Sequence, residues 1–350
     1  MKASNMLFLP KNVSQCNDSD FVKNYLIKPF EKGQVTFTPL GSRMVKNVTR
    51  IFEDLADAYE LQRVGFPLIR PISQWKESGR YSEYQNGVFK LDDQYILAAT
   101  DEEFLIDMMR NRGNLPYNKD TLVYDIGHRF RDGSVRQPYL VKAFIGMPIY
   151  TLNSSKNQDF VIENITNLYH NFFNKLGFGE LYEPKIDKPY YVDFIYPFDR
   201  GPDKGTYCDP CSKYLWYFMK ECECGNKNLK PVRGLSLGVI SDKSDILKAM
   251  KINYSEDMKF NSCGLGLNRI LYASIDNCLK NGQLNESLAP FKNVIVCDKE
   301  GHEDALDYYN KNRLDTLLDD RKISSADKVE LWKFMGTPNI IEYVSGNKPQ

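Results

Sequence analysis

Histidine is the scarcest reactive residue in this chain of 350 residues. It occurs three times, as His128, His170 and His302, and none has a metal ligand or a nucleophile at a recognisable spacing. We expect each to lie on the surface or in the core. The pattern argues against histidine-based metal sites and against histidine-activated nucleophiles.

Excess charge and long apolar runs are also missing. Lys plus Arg and Asp plus Glu number 46 each, so no global basic field draws in nucleic acid, and any RNA contact must be a local patch. The N-terminus has no apolar stretch suited to a signal peptide or a membrane span. We therefore expect a cytoplasmic protein without membrane contact, with two domains or one large domain and an appendage.

Cysteine is present but unevenly placed. Four of the eight cysteines fall within seventeen residues, and a disulfide framework is not expected in a long intracellular chain. The spacing C-x2-C-x10-C-x-C favours a closed, structural zinc site, with free thiols in a loop as the alternative. The four candidate ligands are Cys208, Cys211, Cys222 and Cys224.

Helical periodicity is clearest after Gly41. Apolar residues recur every three to four positions from there, and the helix is expected to end near Gly65. Pro67 and Pro71 then favour an extended strand. The apolar stripe consists of Met44, Val48, Ile51, Phe52, Leu55 and Tyr59.

The stretch "QYILAATDEEFLIDMMRNRG" predicts a strand that leads into a helix. Thr100 is the candidate N-cap, and Glu103 completes a capping box. Residues 158–176 predict a second amphipathic helix, whereas residues 183–235, which hold the cysteine cluster, look irregular.

Cations gather on a predicted hairpin. "TLVYDIGHRF" and "YLVKAFIGMPIYTL" favour antiparallel strands joined by "RDGSVRQP". Arg129 and Arg131 are two residues apart and should share a face, and Arg136 lies on the loop. Arginine suits a phosphate clamp, and the alternative is a solvated hairpin tip.

A glycine-rich turn, "CGLGLNRIL", precedes another predicted helix. It lacks the third glycine of a dinucleotide fingerprint. Gly264 and Gly266 would let a planar ligand approach the backbone, with Arg269 directed at the same ligand. The alternative is a tight turn with an exposed arginine. From about residue 286, strand and helix patterns alternate, which predicts a small α/β unit.

These segments, in this order, resemble the three motifs of class II aminoacyl-tRNA synthetases. Motif one corresponds to the helix at 43–61 plus "RVGFPLIRP", motif two to "FRDGSVRQPYLVKAF", and motif three to "GLGLNRIL". Within the class, "LAATDEEFLIDMMR" and the tail "LDTLLDDRKISSADKVELWKFMGTPNIIEYVSG" are most similar to prolyl-tRNA synthetases. The resemblance covers most of residues 35–345.

The resemblance implies an α+β fold with a class II antiparallel sheet flanked by helices. Residues 1–285 would form the catalytic domain, with a Cys-rich insert at about 183–235. Residues 286–350 would form a shortened anticodon-binding-like α/β domain. The chain would be a homodimer through the motif-one helix and the Pro71 strand.

The resemblance also implies ATP-dependent activation of proline or a related amino acid, with Mg²⁺ on the phosphates and tRNA as acceptor. Arg131 would hold the α-phosphate, Phe144 would stack on adenine, and Arg269 would cover its other face and the γ-phosphate. Catalysis would rest on Arg131 and Arg269. ATP would also contact Arg136, Gly264 and Gly266, and the amino acid would contact Thr100, Glu102 and Asp193.

Departures from the family pattern keep a second hypothesis open. Gly133 stands where the family has a glutamate, Pro148 where it has an aspartate, and "RGLSLGVI" lacks the acidic residue of the matching family strand. A paralogue that passes the activated amino acid to a non-tRNA acceptor, or a non-catalytic binding or regulatory homologue, is the alternative.

Overall fold

The computed structural model describes residues 1–16, 21–84, 87–111, 120–133, 139, 141–187, 189–251 and 257–345. The chain divides into two compact units. One comprises Met1–Phe52, Lys175–Phe178 and Leu271–Gln350, and the other comprises Glu53–Asn174 and Gly179–Ile270. The domain boundary near residue 286 stays a prediction.

Strands and helices are both abundant, as expected for an α+β fold. The strands are β1 (Ile27–Glu31), β2 (Gln34–Phe37), β3 (Gln62–Arg63), β4 (Ile69–Pro71), β5 (Tyr95–Leu97), β6 (Thr121–Tyr124), β7 (Gly127–Phe130), β8 (Ala143–Gly146), β9 (Ile149–Ser154), β10 (Lys185–Asp187), β11 (Tyr190–Pro197), β12 (Asp203–Cys208), β13 (Lys213–Trp216), β14 (Lys230–Asp242), β15 (Met258–Leu265), β16 (Asn293–Cys297), β17 (Thr316–Asp319) and β18 (Asn339–Tyr343). The α-helices are α1 (Pro39–Ala58), α2 (Ile72–Glu77), α3 (Tyr81–Tyr84), α4 (Glu102–Asn111), α5 (Gln158–Lys175), α6 (Ser244–Ala249), α7 (Leu267–Asn281), α8 (His302–Lys311) and α9 (Ser325–Phe334). Within the described ranges, every helix is too short or too polar to cross a bilayer.

A large sheet organises the second unit. Its described part has nine strands, in the order β10-β11-β14-β15-β9-β6-β3, with β12 paired to β14 and β13 paired to β12. The pairs along it are antiparallel apart from β3 with β6. The prediction that residues 183–235 are irregular is therefore wrong, because β10 to β13 and the start of β14 lie there.

The motif-one helix starts earlier than its apolar pattern suggests. Thr38 Oγ1 accepts a hydrogen bond from the Gly41 backbone N–H at 3.2 Å, which makes Thr38 an N-cap. Pro39 then occupies the first helical position, where its missing N–H costs nothing. The apolar stripe from Met44 to Leu55 is buried within the chain.

The predicted hairpin forms, but its strands divide between two sheets. β7 pairs with β8, and β6 pairs with β9 in the large sheet. β7 ends at Phe130, and the Arg131 backbone N–H donates to the Lys142 carbonyl oxygen at 2.8 Å just beyond it. Arg129 is buried whereas Arg131 is exposed, so the two arginines have different surroundings. That they share a face stays a prediction.

The C-terminal part of the first unit is a small α/β structure, as its alternating pattern predicts. β17, β16 and β18 form a parallel three-stranded sheet. Parallel neighbours require crossover connections, and α8 and α9 supply them. The core of this sheet includes Ile295, Ala305, Tyr309 and Leu318.

Candidate active site

One cavity of about 340 Å³ brings together five of the residues predicted to bind ATP. It lies in the second unit, where the β7–β8 hairpin meets the end of β15 and the start of α7. Gly146 forms an antiparallel bridge with Gly266. The five residues are Arg131, Phe144, Gly264, Gly266 and Arg269.

The two glycines open the cavity wall down to the backbone. A Cβ at Gly266 would meet no atom within 4 Å, and one at Gly264 would meet only Val239 Cγ2, at 3.7 Å. Neither glycine is therefore required by packing. Their bare backbone lets a flat ligand approach closely.

Arg131 is the uncompensated cation of the cavity. Its Cζ lies 5.2 Å from the centroid of the Phe144 ring, and its Nη2 is 3.5 Å from the Ala99 carbonyl oxygen. Among the described residues no carboxylate forms an ion pair with it. An exposed guanidinium held over an aromatic ring suits a planar, anionic ligand.

Arg269 lies on the cavity wall, and contacts with Ser236 and Asp203 hold its guanidinium in place. Its Nη1 donates to the Ser236 carbonyl at 3.1 Å and lies 3.4 Å from Asp203 Oδ2. The same Asp203 oxygen accepts from the Ser236 backbone N–H at 2.8 Å. Asn268 Oδ1 accepts from the Ile145 N–H at 3.0 Å, which joins α7 to the hairpin.

Asp203 is a candidate site residue that the sequence pattern does not reveal. It stands 66 positions before Arg269, in "RGPDKG", and no local spacing marks it. The pairing of β12 with β14 carries it to Ser236. It places a half-exposed carboxylate beside the cavity.

Asp193 is not among the residues that line the cavity, but it contacts Ser236, which is. Ser236 Oγ donates to its Oδ1 at 2.6 Å. Burial raises the pKa of the Asp193 carboxyl to about 7, with the Ser236 hydrogen bond opposing the rise and the Asp203 charge adding to it. A buried carboxyl near neutrality, beside an arginine in a cavity, is typical of functional sites.

Asp193→Asn is expected to stabilise the fold at pH 8 and to change little at pH 4. The folded chain keeps a proton that the unfolded chain releases at a pKa of 3.8, so this carboxyl lowers stability as the pH rises from about 4 to 7. The gain at pH 8 is up to about 4 kcal/mol. Urea unfolding at both pH values measures it, with exposed Asp54→Asn as control. If the free energies of unfolding of Asp193→Asn and wild type differed by the same amount at both pH values, the raised pKa of Asp193 would be contradicted.

Glu102 and Thr100 lie at the start of α4, outside the described lining of the cavity. Glu102 is buried, accepts from Ser262 Oγ at 2.8 Å and lies 3.2 Å from Arg80 Nη1. Burial opposes its ionisation, but Arg80 and the hydroxyls of Thr100 and Ser262 outweigh it and lower the pKa of Glu102 to about 2. Glu102 is therefore a fixed anion.

The predicted capping box is wrong. The helix begins at Glu102, and the Leu105 N–H donates to the Asp101 carbonyl at 2.9 Å, which places Asp101 at the N-cap. Glu103 instead accepts from Ser78 Oγ and from Arg80, both at 2.9 Å. Thr100 therefore does not cap this helix, and its predicted contact with the amino acid stays a prediction.

Arg129 belongs to a buried ion network and not to an anion clamp. Its guanidinium bonds Asp101 and also Asp125, the latter at 2.6 Å. Arg70 reaches the other Asp101 oxygen at 2.5 Å. Arg136, the remaining predicted ATP ligand, lies outside the described residues.

The cysteine cluster has the geometry of a metal site. The sulfurs of Cys208, Cys211, Cys222 and Cys224 lie within 4.8 Å of one another, and the Cys208 and Cys224 sulfurs are 3.6 Å apart. Tetrahedral Zn–S bonds of about 2.3 Å require sulfurs roughly 3.8 Å apart. The four thiols are not paired as disulfides.

Solved structures define the class of fold. A Giardia lamblia prolyl-tRNA synthetase in complex with prolyl-adenylate is 16% identical, with a TM-score of 0.69, over 96% of this chain and 71% of that chain. The RNA binding domain of threonyl-tRNA synthetase from Cryptosporidium parvum Iowa II is 12% identical, with a TM-score of 0.69, over 96% and 89%. The chain has the fold of class II aminoacyl-tRNA synthetases.

Sequence comparison shows which members of that class the chain is similar to. No family model matches the chain. A proline–tRNA ligase of Ehrlichia ruminantium (strain Gardel) is 23% identical over 94% of this chain and 87% of its own length. A probable mitochondrial proline–tRNA ligase of Mus musculus is 24% identical over 90% and 75%. The chain is thus a divergent protein that is similar to proline–tRNA ligases over most of its length.

Proposed function

We propose that this protein activates proline or a close relative with ATP and transfers it to tRNA. One observation carries the proposal: a single cavity joins Arg131, Phe144 and Arg269 around two glycines that packing does not require. The similarity to proline–tRNA ligases supports the choice of substrate.

The residues suit adenylate formation. A carboxylate oxygen of the amino acid attacks the α-phosphorus of ATP, and pyrophosphate leaves with the electrons of the broken P–O bond. Arg131 holds the α-phosphate and the attacking carboxylate, Phe144 stacks on adenine, and Arg269 covers its other face and the γ-phosphate. Positioning and charge stabilisation supply the rate, and Arg136, Gly264 and Gly266 complete the ATP contacts.

Mg²⁺ would neutralise the phosphates, and Asp203 offers a carboxylate of the kind this ion prefers. The amino group of the substrate is the part that Thr100 and Glu102 would recognise, since Glu102 is held ionised by Arg80. Asp193, which was predicted to contact the amino acid, would act on the substrate through its hydrogen bond with Ser236. The small α/β unit of residues 286–350 would contact the tRNA.

Calorimetric titration with a non-hydrolysable prolyl-adenylate analogue tests the binding step. We expect one analogue per chain, and we expect that Gly266→Val, whose Cβ would meet no protein atom within 4 Å, abolishes binding with little change in the melting temperature. If the wild-type protein shows no heat, or if Gly266→Val binds as well as wild type, the cavity is not the adenylate site.

Gly133 and Pro148 favour a second candidate function. Gly133 lines the cavity without a side chain, where the resembling family carries a glutamate. A paralogue would still form the adenylate but pass the amino acid to another acceptor, or would only bind it. Charging of a tRNA(Pro) transcript with labelled proline separates the two functions, since a paralogue of either kind leaves the tRNA uncharged.

We also propose a structural Zn²⁺ on the four clustered cysteines. Purified protein should contain one zinc per chain by elemental analysis, and Cys211→Ser should lose it because three ligands do not close the site. Cys278→Ser, outside the cluster, is the control and should retain the metal. Wild-type protein produced in zinc-supplemented medium but free of the metal would contradict the assignment.

A homodimer remains part of the proposal, through the predicted Pro71 strand, which is β4, and its partner strand β5. Phe52 is fully buried, so Phe52→Asp would unfold the chain rather than separate subunits. Ile69 and Tyr95, on the paired β4 and β5, are 54% and 40% exposed. Ile69→Arg should therefore halve the mass measured by light scattering, whereas Leu314→Arg should not change it. A wild-type monomer would refute the dimer.

A further inference from the structure

The start of α4 is fastened to the large sheet by two neighbouring strands. The Ser262 hydroxyl, on β15, donates to Glu102 Oε1 at 2.8 Å, and the Tyr150 hydroxyl, on β9, donates to Asp101 Oδ2 at 3.2 Å. Ser262 and Tyr150 are direct partners in the antiparallel pairing of β15 with β9, so their side chains share a face. One cross-strand pair therefore holds two consecutive residues at the start of the helix.

The face of β15 that carries Ser262 is also the face that lines the cavity. Side chains alternate between the two faces of a strand, and every second residue here, namely Ser262, Gly264 and Gly266, is half-buried. The residues between them, Cys263 and Leu265, are buried. Gly264 and Gly266 line the cavity. Ser262 therefore lies on the cavity face, about 7 Å along the strand from Gly264.

Contacts with the hairpin also join the approach to α4 with the cavity. Arg131, on the cavity wall, has its Nη2 atom 3.5 Å from the carbonyl oxygen of Ala99, three positions before Glu102. The Phe130 backbone N–H donates to the Ala98 carbonyl oxygen at 2.8 Å, so this segment runs beside the end of β7. The start of the helix is therefore joined to the cavity both through the sheet and through the hairpin.

The charges around Glu102 suit a cationic ligand. Arg80 Nη1 lies 3.2 Å from Glu102 Oε2 and 2.9 Å from Glu103 Oε1, and both carboxyl groups are buried. Burial raises the pKa of the Glu103 carboxyl, with Arg80 opposing the rise and the Glu102 charge adding to it. Two buried carboxyl groups thus share one guanidinium, and buried carboxylates require compensating charge. The ammonium group of an amino acid would be the second cation.

We propose that Ser262 is a positioning residue for recognition of the substrate amino group. Its hydroxyl holds the Glu102 carboxylate on the cavity face of β15, where that carboxylate binds the ammonium of the amino acid. The inference rests on the proposed function, because it assigns Ser262 to the binding of the amino acid that is activated. The two residues stand 160 positions apart, so only the fold brings them together.

Calorimetric titration with two adenylate analogues tests the inference. One is the non-hydrolysable prolyl-adenylate analogue, and the other carries an oxygen atom in place of the ring nitrogen, so that it keeps the shape but lacks the ammonium. Wild type should bind the amine analogue about tenfold or more tightly than the oxygen analogue. Ser262→Ala should weaken binding of the amine analogue about tenfold, as for the loss of one hydrogen bond to a charged group, and should leave binding of the oxygen analogue unchanged.

Two further variants serve as controls. Ser262→Thr keeps the hydroxyl and should bind both analogues like wild type. Ser274→Ala removes the hydroxyl of another buried serine, on α7, which has no hydrogen-bond partner among the described residues, and it should also bind like wild type. In pyrophosphate exchange, Ser262→Ala should raise the KM for proline about tenfold without changing the KM for ATP, whereas a structural defect would change both constants.

The outcomes separate this inference from the function on which it rests. If wild type bound neither analogue, the proposed function and the inference would both be overturned. If wild type bound both analogues equally, or if Ser262→Ala bound the amine analogue like wild type, the inference alone would fail. It would fail in the same way if Ser262→Ala lost both analogues to the same extent, or if Ser262→Thr bound as weakly as Ser262→Ala.

Discussion

Arg131→Ala and Arg269→Ala are each expected to lower amino-acid-dependent ATP–pyrophosphate exchange by about 10²–10³-fold. The two guanidinium groups are the cations that line the cavity among its described residues, and each would stabilise charge that develops on the transferring phosphate. Arg131→Lys should recover only part of the rate, because lysine cannot make planar, bidentate contacts.

The control for these variants is Arg63→Ala, which removes an exposed arginine paired with Glu53 away from the cavity. It should exchange like wild type. Circular dichroism of all four proteins should be identical. If Arg131→Ala and Arg269→Ala exchange at the wild-type rate, the cavity is not where ATP reacts.

Asp101→Ala is expected to have the largest effect on stability. The Asp101 carboxylate is fully buried and accepts from Arg70 and Arg129, and also from the Tyr150 hydroxyl at 3.2 Å. Its removal leaves two buried arginines with less compensation, and breaking a buried pair in this way costs about 3–5 kcal/mol. Urea unfolding followed by fluorescence measures the loss.

Asp307→Ala provides the comparison for Asp101→Ala. It removes the partner of Lys311 in an ion pair whose two side chains are 67% and 70% exposed, and exposed pairs contribute about 0–1 kcal/mol. A similar small loss for Asp101→Ala would show that the network is not a stabilising core of the second unit.

Features set by neighbouring residues could be predicted from the sequence. The amphipathic helix that became α5, the hairpin, and the strand-to-helix turn at Gly264–Arg269 all follow from periodicity and from turn chemistry. The glycines and Arg269 lie within six positions, so one local turn presents them to one cavity. The C-terminal alternation of strands and helices is equally local.

Features set by distant pairing could not be predicted. Asp203 reaches Arg269 only through the pairing of β12 with β14, and Arg129 meets Asp101 across 28 positions. Strand alternation suggested that Arg129 and Arg131 share a face, but it could not show that one is buried and the other exposed. The buried partners of Arg129 then decide which arginine is structural and which is exposed to a ligand.

Amino-acid-dependent ATP–pyrophosphate exchange by the wild-type protein, measured with Mg²⁺ and each of the twenty amino acids, tests the central claim most directly. The proposed function predicts exchange with one amino acid and background rates with the others, and the similarity to proline–tRNA ligases makes that amino acid proline or a close relative. Background rates with all twenty, from protein that is folded and contains its zinc, would contradict amino-acid activation by this chain.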